Sequence, residues 1–369
     1  MGALFRRNSG SSGAVSAKKA RIFDFLRIFL PFSILIRQKM PKIDSRVFDE
    51  GGLMGTDISY LELINERLKS LLLKHLPRAG MLKVPGIDSL TLIRREEENS
   101  EGQSLLVPSL GFVVQGQKRT FIGGKEYAYG KYHCVAVGVD VPTSFCAVRA
   151  THAEPFLVVS LALDRFLLSE LIAQMPAVES SDNSDSAFNV GLVDEEVLGA
   201  VMRLVQLLEH PEQVPVLAPM LIREIHYRVL MTELGASLRR FNAKTGASSQ
   251  MSKAIAWLRE NYRRPLSVPE LADVVHMGVS TFHRHFKEVT NMTPLQFHKQ
   301  LRLHEAKRLM IAEQLDATSA CYAVGYESPS QFNREYKRQF GEPPYRDIKR
   351  RKYREVDAEA VHQSGETFS

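Results

Sequence analysis

The chain has 369 residues, of which 44% are hydrophobic and 24% charged; this balance is typical of a folded protein of two or three domains and argues against wholesale disorder. Its three cysteines are too few and too scattered for a disulfide framework, and without a Cys-x-x-Cys pair a structural zinc site is a poor fit. The net charge of +6 favours an anionic partner, but this average hides an uneven distribution along the chain.

Positive charge is concentrated in two segments. Residues 251–354 hold 19 Lys or Arg against 11 Asp or Glu, a net charge of +8, and residues 1–42 also carry +8. Residues 43–250 carry −6, and the tail 355–369 has four acidic residues and no Lys or Arg. This contrast predicts that the two halves of the chain bind different partners.

The N-terminal 41 residues combine a Ser/Gly run, scattered basic residues and the apolar stretch Ile22–Ile36. That stretch is interrupted by Asp24, Arg27 and Pro31, and it is shorter than the roughly 20 apolar residues of a membrane span. Basic residues follow it in place of a signal-peptide cleavage site. We therefore predict that residues 1–41 are a disordered or non-native extension, with a membrane-surface helix as the alternative.

The next part of the chain, residues 42–241, is predicted to be a β-rich domain with flanking helices. An apolar repeat over Ile58–Leu76 indicates a helix, and short β-branched runs separated by turn residues follow it. Spacings of about 8–12 residues between such runs are typical of an antiparallel barrel or sandwich. The runs predicted as strands are Leu90–Ile93, Phe112–Gln115, Arg119–Ile122, Cys134–Val139, Phe145–Val148 and Phe156–Leu161.

Helices are predicted over Asp164–Gln174, Asp194–Glu209 and Leu217–Leu234, with the polar segment Glu179–Asn189 as a loop. The apolar stripes of the last two helices either pack on the barrel or serve dimerisation. The small, polar segment 242–250 is predicted to be a linker.

Residues 251–350 contain an internal repeat with a shift of fifty residues. In the first copy, Ser267 and Glu270 have the spacing of a capping box that starts a helix, and a second helix follows at Val279–Thr290. In the second copy, a helix over Thr318–Val324 precedes one that is capped by Ser328. The matched residues are Phe282 and Phe332, Arg284 and Arg334, Phe286 and Tyr336, Lys287 and Lys337, and Pro294 and Pro344. The repeat predicts two helix-turn-helix units joined by one long helix, residues 294–312.

The second helix of each unit has the composition of a DNA recognition helix, with aromatic residues on one face and polar residues on the other. Arginine suits guanine, glutamine and asparagine suit adenine, and lysine suits phosphate. An internal ion pair, such as Arg284 with Glu288, is the alternative role for the arginines. The candidate DNA-binding residues are Ser280, His283, Arg284, Lys287, Thr293, Ser330, Gln331, Asn333, Arg334 and Lys337.

These motifs resemble a known family. RLHEAKRLM at residues 302–310 and VGYESPSQFNREYKRQFGEPP at residues 324–344 resemble signatures of AraC/XylS-type transcriptional regulators, and SLGFVVQGQKRTFIGGKEYAYG at residues 109–130 resembles their cupin-like N-terminal domain. Two residues, Gly278 and Cys321, depart from the usual Ser and Ala of the family's pattern.

The resemblance implies an α+β chain with an N-terminal antiparallel cupin-like β-barrel and a C-terminal all-α tandem helix-turn-helix domain. It implies a cytoplasmic, sequence-specific transcriptional regulator that binds double-stranded DNA and responds to a small-molecule effector of unknown identity. RNA polymerase and a second copy of the chain are further partners that it leaves open.

A metal-dependent cupin enzyme and a non-specific architectural DNA binder are the competing classes. Cupin metal sites need a His-x-His pair on a strand, whereas the barrel stretch has only His133 and His152. We therefore predict no enzymatic activity, no metal and no cofactor. Cys134 and Cys146, on neighbouring predicted strands, are candidate effector-binding residues if their thiol pKa is lowered, and small core residues otherwise.

Overall fold

The computed structural model describes residues 57–96, 101–148, 150–175, 186–243 and 246–349. The predicted N-terminal extension and the acidic tail lie outside these residues. The first described element is α1 (Asp57–His75), which buries Leu68, Leu71 and Leu72 in the N-terminal core, as its apolar repeat predicts.

The strands of the N-terminal half form two antiparallel sheets. One has six strands in the order β1-β2-β9-β4-β7-β10, and the other has four in the order β3-β8-β5-β6. Within the described residues they are β1 (Gly80–Lys83), β2 (Leu90–Arg95), β3 (Glu101–Leu106), β4 (Ser109–Gln115), β5 (Gln117–Ile122), β6 (Lys125–Gly130), β7 (His133–Val137), β8 (Val141–Val148), β9 (Phe156–Ala162) and β10 (Phe188–Leu192).

The predicted α+β class with an antiparallel N-terminal domain is confirmed, but the strands of the described chain form two sheets and not one closed barrel. The chain passes from the six-stranded sheet to the four-stranded sheet at Gly116, between β4 and β5. Gly116 has a φ of 83°, and the β4–β9 register shifts just before it, between Val113 and Gln115. Such irregularities turn a strand out of its sheet, so the strands separate into two layers.

The segment that was predicted as a loop, Glu179–Asn189, overlaps β10. Residues 176–185 lie outside the described chain, but Phe188 and Asn189 pair with Val137 and Ala136 of β7. The strand was not predicted because the residues before it are rich in Ser and Asp. It pairs with β7 at the edge of the six-stranded sheet, and its Phe188 is buried.

Four helices pack against the six-stranded sheet: α2 (Arg165–Gln174), α3 (Glu195–Gln206), α4 (Val214–Met231) and α5 (Glu233–Asn242). The side chains of Asp164 and Asp194 cap the first two of these helices by accepting hydrogen bonds from backbone N–H groups. The buried face of α3 packs between α1 and α4. Packing therefore accounts for the apolar stripe of α3, whereas α4 also has an exposed apolar face.

The segment 242–250 is not the extended linker that its composition predicts. The helix α5 continues through Asn242, and a new helix, α6 (Ala247–Glu260), begins inside the segment. Ser248 and Ser249 are buried in α6. Small side chains are common in flexible linkers, but in this segment they allow α6 to pack closely against α5.

The C-terminal half consists of α7 (Val268–Val274), α8 (Val279–Thr290), α9 (Pro294–Ala312), α10 (Ala317–Ala323) and α11 (Pro329–Phe340), followed by a helical segment at residues 344–349. This arrangement confirms the predicted repeat. The C-caps of α8 and α11 are Asn291 and Gly341, fifty residues apart, and both have the left-handed backbone conformation. Only half of the predicted capping box forms at α7, because Ser267 accepts a bond from the Glu270 amide while the Glu270 carboxylate lies 3.4 Å from Arg264.

The first unit shares its core with the N-terminal domain, whereas the second unit has a core of its own. Phe286 and Val289 of α8 belong to the same buried cluster as Tyr129 and Phe188 of the sheets. Cys321, one of the two departures from the family pattern, is fully buried in the separate core of the second unit. In the described chain, no helix is both long enough and apolar enough to span a membrane.

Candidate nucleic-acid interface

The helix α8 separates its apolar and polar residues onto opposite faces. Phe282 and Phe286 are fully buried, and the Phe286 ring packs edge-on against Phe297 of α9 with 5.4 Å between ring centroids. The four predicted DNA-binding residues of this helix, Ser280, His283, Arg284 and Lys287, are all exposed. The polar face is therefore available to a partner along its whole length.

Arg284 has internal partners on its own helix. Its guanidinium lies 3.7 Å from the Glu288 carboxylate and 3.3 Å from the ring of His285, and His285 contacts the same carboxylate at 2.9 Å. The ion pair that was considered as the alternative role is thus present. It is weak, because the side chains of Arg284 and Glu288 are 63% and 45% exposed and water screens their attraction.

The helix α11 repeats the arrangement of α8. As predicted, its N-cap Ser328 accepts a hydrogen bond from the Gln331 amide at 3.3 Å, and Pro329 occupies the first turn. Phe332 and Tyr336 are fully buried. The five predicted DNA-binding residues are exposed: Ser330, Gln331, Asn333, Arg334 and Lys337.

The polar residues of α11 differ in how far they are already engaged. Gln331 donates to the Glu335 carboxylate at 3.2 Å. Arg334 makes no ion pair or side-chain hydrogen bond within the described residues. Arg334 is therefore the more readily available of the two matched arginines.

Thr293 forms the N-terminal cap of the connecting helix α9. Its hydroxyl accepts a bond from the Gln296 amide at 3.3 Å, and the Gln296 side chain accepts one from the Thr293 amide at 3.0 Å. This complete capping box gives Thr293 a structural role at the start of α9. The residue is exposed, so it also remains a candidate for a backbone contact.

Several residues that hold the two units together were not identified from the sequence. Arg302 and His298 of α9 contact the turn that follows α6, and Lys299 lies 3.2 Å from Glu335 of α11. Arg302 could have been singled out from the sequence, because it is the first residue of the motif RLHEAKRLM. Periodicity alone, however, does not show which carbonyl groups accept hydrogen bonds from an arginine.

A buried ion pair anchors the C-terminal helical segment to the second unit. The Lys307 ammonium lies 2.5 Å from the Asp347 carboxylate, and the Tyr336 hydroxyl donates to the same carboxylate at 2.8 Å. Because Tyr336 lies on the buried face of α11, the ion pair and this hydrogen bond hold that face of α11 against α9 and the C-terminal helical segment.

The two candidate effector-binding cysteines are not brought together. Cys134 lies on β7 of the six-stranded sheet, and Cys146 lies on β8 of the four-stranded sheet, opposite Arg119. Cys134 is fully buried, and burial raises the pKa of its thiol, whereas a reactive sensor needs a lowered pKa. Cys134 therefore fits the alternative role, that of a small core residue.

Two adjoining cavities lie elsewhere, at the surface beside α4. One, of about 350 Å³, is lined by residues that include Ile87 and Val214, and the other, of about 620 Å³, by residues that include Phe166 and Met220. Neither cysteine lines either cavity. Among the residues that the structure describes, no three His, Cys, Asp or Glu side chains are grouped so as to hold a metal ion.

Comparison with protein-family models gives two matches. Residues 86–237 match the model of the AraC-type transcriptional regulator N-terminus, and residues 271–350 match a model of a helix-turn-helix domain. The two models together match more than half of the chain. The chain belongs to the AraC family of transcriptional regulators.

Individual relatives of this AraC-family chain match it in part. It is 29% identical over 157 residues to the HTH-type transcriptional activator RhaS of Escherichia coli O1:K1, a stretch that makes up 42% of this chain and 56% of RhaS. The chain thus spans only about half the length of the curated relatives that it matches.

Two solved structures are also similar. The crystal structure of ToxT from Vibrio cholerae O395 matches 70% of this chain and 96% of ToxT, with a TM-score of 0.48 and 8% identity. The DNA-binding domain of AdpA, solved with a target DNA, matches 28% of this chain and 95% of that domain, with a TM-score of 0.28 and 26% identity.

Proposed function

We propose that this AraC-family chain is a sequence-specific DNA-binding regulator of transcription, and that α8 and α11 enter successive major grooves of a duplex. The observation that carries this proposal is the pair of matched, exposed polar faces on two helices that one connecting helix joins. Burial of Arg284 and Arg334 would have argued against it, and both are exposed.

Base reading falls to the residues on the outer faces of the two helices. Arg284 and Arg334 occupy equivalent positions, and an arginine can donate two hydrogen bonds to O6 and N7 of one guanine. Gln331 and Asn333 can pair in the same way with adenine, and His283 can donate to or accept from a base edge. One helix in each groove would then read two short groups of base pairs about one helical turn apart.

Phosphate contacts would position the protein on the duplex without selecting a sequence. Lys287 and Lys337 lie farther along their helices than the arginines and suit this role, as do the hydroxyls of Ser280, Ser330 and Thr293. The net charge of +8 over residues 251–354 supplies a long-range attraction to the DNA backbone.

The proposal is tested by isolating bound duplexes from a random pool and comparing affinity for an enriched duplex with affinity for a shuffled one across a salt series. A specific regulator prefers its site by roughly 10³-fold or more. A ratio near one, with affinity that falls steeply as salt rises, would instead identify a non-specific architectural binder.

We further propose that a small molecule or chemical signal at the N-terminal domain modulates DNA binding. The four-stranded sheet contacts the C-terminal end of both recognition helices, which supports this coupling. Gln103 of β3 and Gln339 of α11 exchange hydrogen bonds, with Gln339 donating at 2.6 Å, and Asn291 after α8 donates to the Tyr127 hydroxyl of β6 at 3.3 Å. A signal that binds one arrangement of this sheet more tightly would shift the population of DNA-competent molecules.

Other contacts make this domain interface close. Arg259 of α6 pairs with the buried carboxylate of Asp140, which precedes β8, and the Val289 carbonyl accepts a bond from the Ala187 amide at 2.8 Å. Gly123, in the turn between β5 and β6, packs so tightly on Asn291 that a Cβ at this position would collide with the Asn291 carbonyl. Modulation is tested by measuring DNA affinity with and without members of a metabolite library; a compound that binds the chain but leaves DNA affinity unchanged argues against coupling.

We also propose that a second copy of the chain packs on α4. Val216, Met220, Tyr227 and Met231 are exposed and lie within about 60° of one another around this helix. An exposed apolar stripe of this kind is typical of protein–protein contacts. A salt bridge between Arg223 and Glu170, 2.9 Å apart, lies beside the stripe. A positive and a negative side chain are therefore both present there, and two copies can present complementary charges to each other.

We propose, finally, that the chain acts by binding and not by catalysis, in the cytoplasm, with RNA polymerase as a further partner. The roles of its polar clusters support this view: they cap helices, join the two units or face outward from the recognition helices. Transcription from a template that carries the selected site, with purified polymerase, tests the polymerase contact and tells activation from repression.

A further inference from the structure

The two helix-turn-helix units must keep a fixed relative orientation to read two groups of base pairs at once. The helix α9, of 19 residues and about 28 Å, joins the two units, and it packs into both cores, with Phe297 in the first and Leu309 in the second. Contacts at the middle of α9 act together with this packing, and with the contacts that the four-stranded sheet makes to both units, on how the two recognition helices are oriented.

Arg302, near the middle of α9, is bound to the turn between α6 and α7. Its Nε donates to the Tyr262 carbonyl at 2.6 Å, and its Nη2 donates to the carbonyls of Arg263 and Arg264, each at 2.9 Å. One turn earlier on the same face, His298 contacts the Tyr262 carbonyl at 3.0 Å. Bonds from a charged guanidinium are stronger than neutral ones, and three of them hold this turn of the first unit against α9.

The same turn touches the second unit at Gly325, which follows α10. Gly325 has a φ of 83°, and a Cβ at this position would collide with the Arg263 carbonyl and lie 3.0 Å from Nη2 of Arg302. The guanidinium of Arg302 also lies 5.8 Å from the ring of Tyr326. Arg302 thus contacts a turn of the first unit and a turn of the second at one point.

A second link extends this junction to the recognition helix of the second unit. Lys299 of α9 lies 3.2 Å from the Glu335 carboxylate of α11, and the Tyr326 hydroxyl donates to the same carboxylate at 2.7 Å. Lys299 and Tyr326 therefore link α11 to the cluster of residues that holds the turn of the first unit.

We infer that Arg302, acting through its contacts with residues 262–264 and 325–326, is the positioning residue that sets the spacing between the two groups of base pairs that the protein selects. This inference rests on the proposed reading of DNA by α8 and α11. One additional base pair moves the second group by about 3.4 Å and rotates it by roughly 35°, which a rigid junction cannot follow.

The experiment uses the full chain and three kinds of duplex: the selected site, the same site with one base pair inserted or removed between its two groups, and a duplex with only one group. Arg302→Lys keeps the positive charge but loses the planar fork that reaches three carbonyls. Arg308→Lys is the matched control, because Arg308 lies on the same helix and, among the described residues, forms ion pairs only with nearby Glu305 and Glu313.

The wild-type chain and Arg308→Lys are expected to bind the altered spacings about tenfold or more weakly than the selected site. Arg302→Lys is expected to reduce this spacing penalty to about threefold or less, while binding single-group duplexes as the wild type does. If Arg302 only stabilised the fold, Arg302→Lys would not reduce the spacing penalty while leaving the affinity for single-group duplexes unchanged.

The inference is overturned if Arg302→Lys retains the wild-type spacing penalty, or if the wild-type chain shows no such penalty. It is also overturned if Arg302→Lys loses binding to single-group duplexes, because Arg302 would then stabilise the fold and not the spacing. Failure of the underlying proposal has a different signature: the wild-type chain would show no preference between the selected and shuffled duplexes.

Discussion

Replacing the two matched arginines separates base reading from general attraction to DNA. Arg334 has no ion-pair partner within the described residues, so Arg334→Ala is expected to remove the proposed contact with DNA without breaking an ion pair. A bidentate contact with guanine contributes about 1–3 kcal/mol of discrimination. Affinity for the selected site is therefore expected to fall by roughly 5- to 150-fold.

Arg284 gives a smaller expected loss for a reason visible in the structure. Its pair with Glu288, 3.7 Å apart and exposed on both sides, contributes ~0–1 kcal/mol and must break before the guanidinium reaches a base. Arg284→Ala should thus cost up to ~1 kcal/mol less than Arg334→Ala. Glu288→Gln should strengthen binding by up to about fivefold, and this gain should shrink when Arg284 is absent.

Fluorescence anisotropy with the selected duplex and with single-base-pair variants measures these effects at one salt concentration. Each arginine variant should lose discrimination at its own base pairs, and the two sets should lie about one helical turn apart. Thermal melts provide the control, since exposed substitutions change stability by about 0.5 kcal/mol or less. An equal loss of affinity for all duplexes would show that the arginines contact phosphate and do not read bases.

Three further predictions concern phosphate contact, pH and self-association. Lys337→Ala should weaken binding to all duplexes and lower the slope of log affinity against log salt by about one unit, as titrations in increasing salt would show. Burial lowers the pKa of His298 to about 4, so the unfolded chain binds a proton first as the pH falls. His298 should therefore account for a decrease in stability to urea of about 2–3 kcal/mol between pH 6.5 and pH 4, beside the decreases from His226 and His304, whose pKa burial also lowers. His298→Asn should flatten this decrease, and an unchanged profile would contradict it. Met220→Glu, which places a charge on the exposed stripe of α4, should shift the chain towards a monomer in light scattering, and an unaltered mass would place any dimer contact elsewhere.

The tandem helix-turn-helix domain could be predicted from the sequence because its determinants are local. The aromatic residues Phe282 and Phe286 recur fifty residues later, and cap residues such as Thr293 and Ser328 mark where helices begin. The exposure of the nine candidate DNA-binding residues on α8 and α11 follows from the same periodicity, since the inner face of each helix must be apolar.

The arrangement of the N-terminal domain depends on contacts that no local pattern encodes. Gln103 and Gln339 are 236 positions apart, and nothing in either neighbourhood indicates that they meet. The serines of α6 read as a linker because small polar residues are common in both flexible segments and close helix packing. The burial of Cys134, likewise, depends on how the helices pack on the six-stranded sheet and not on the residues beside it.

Methylation interference on the selected duplex measures most directly whether two recognition helices enter successive grooves, because it reports contacts at guanine N7 in the major groove. The account predicts two clusters of interfering guanines about 10 base pairs apart, one lost in Arg284→Ala and the other in Arg334→Ala. A single cluster, or two clusters that both variants leave intact, would contradict it.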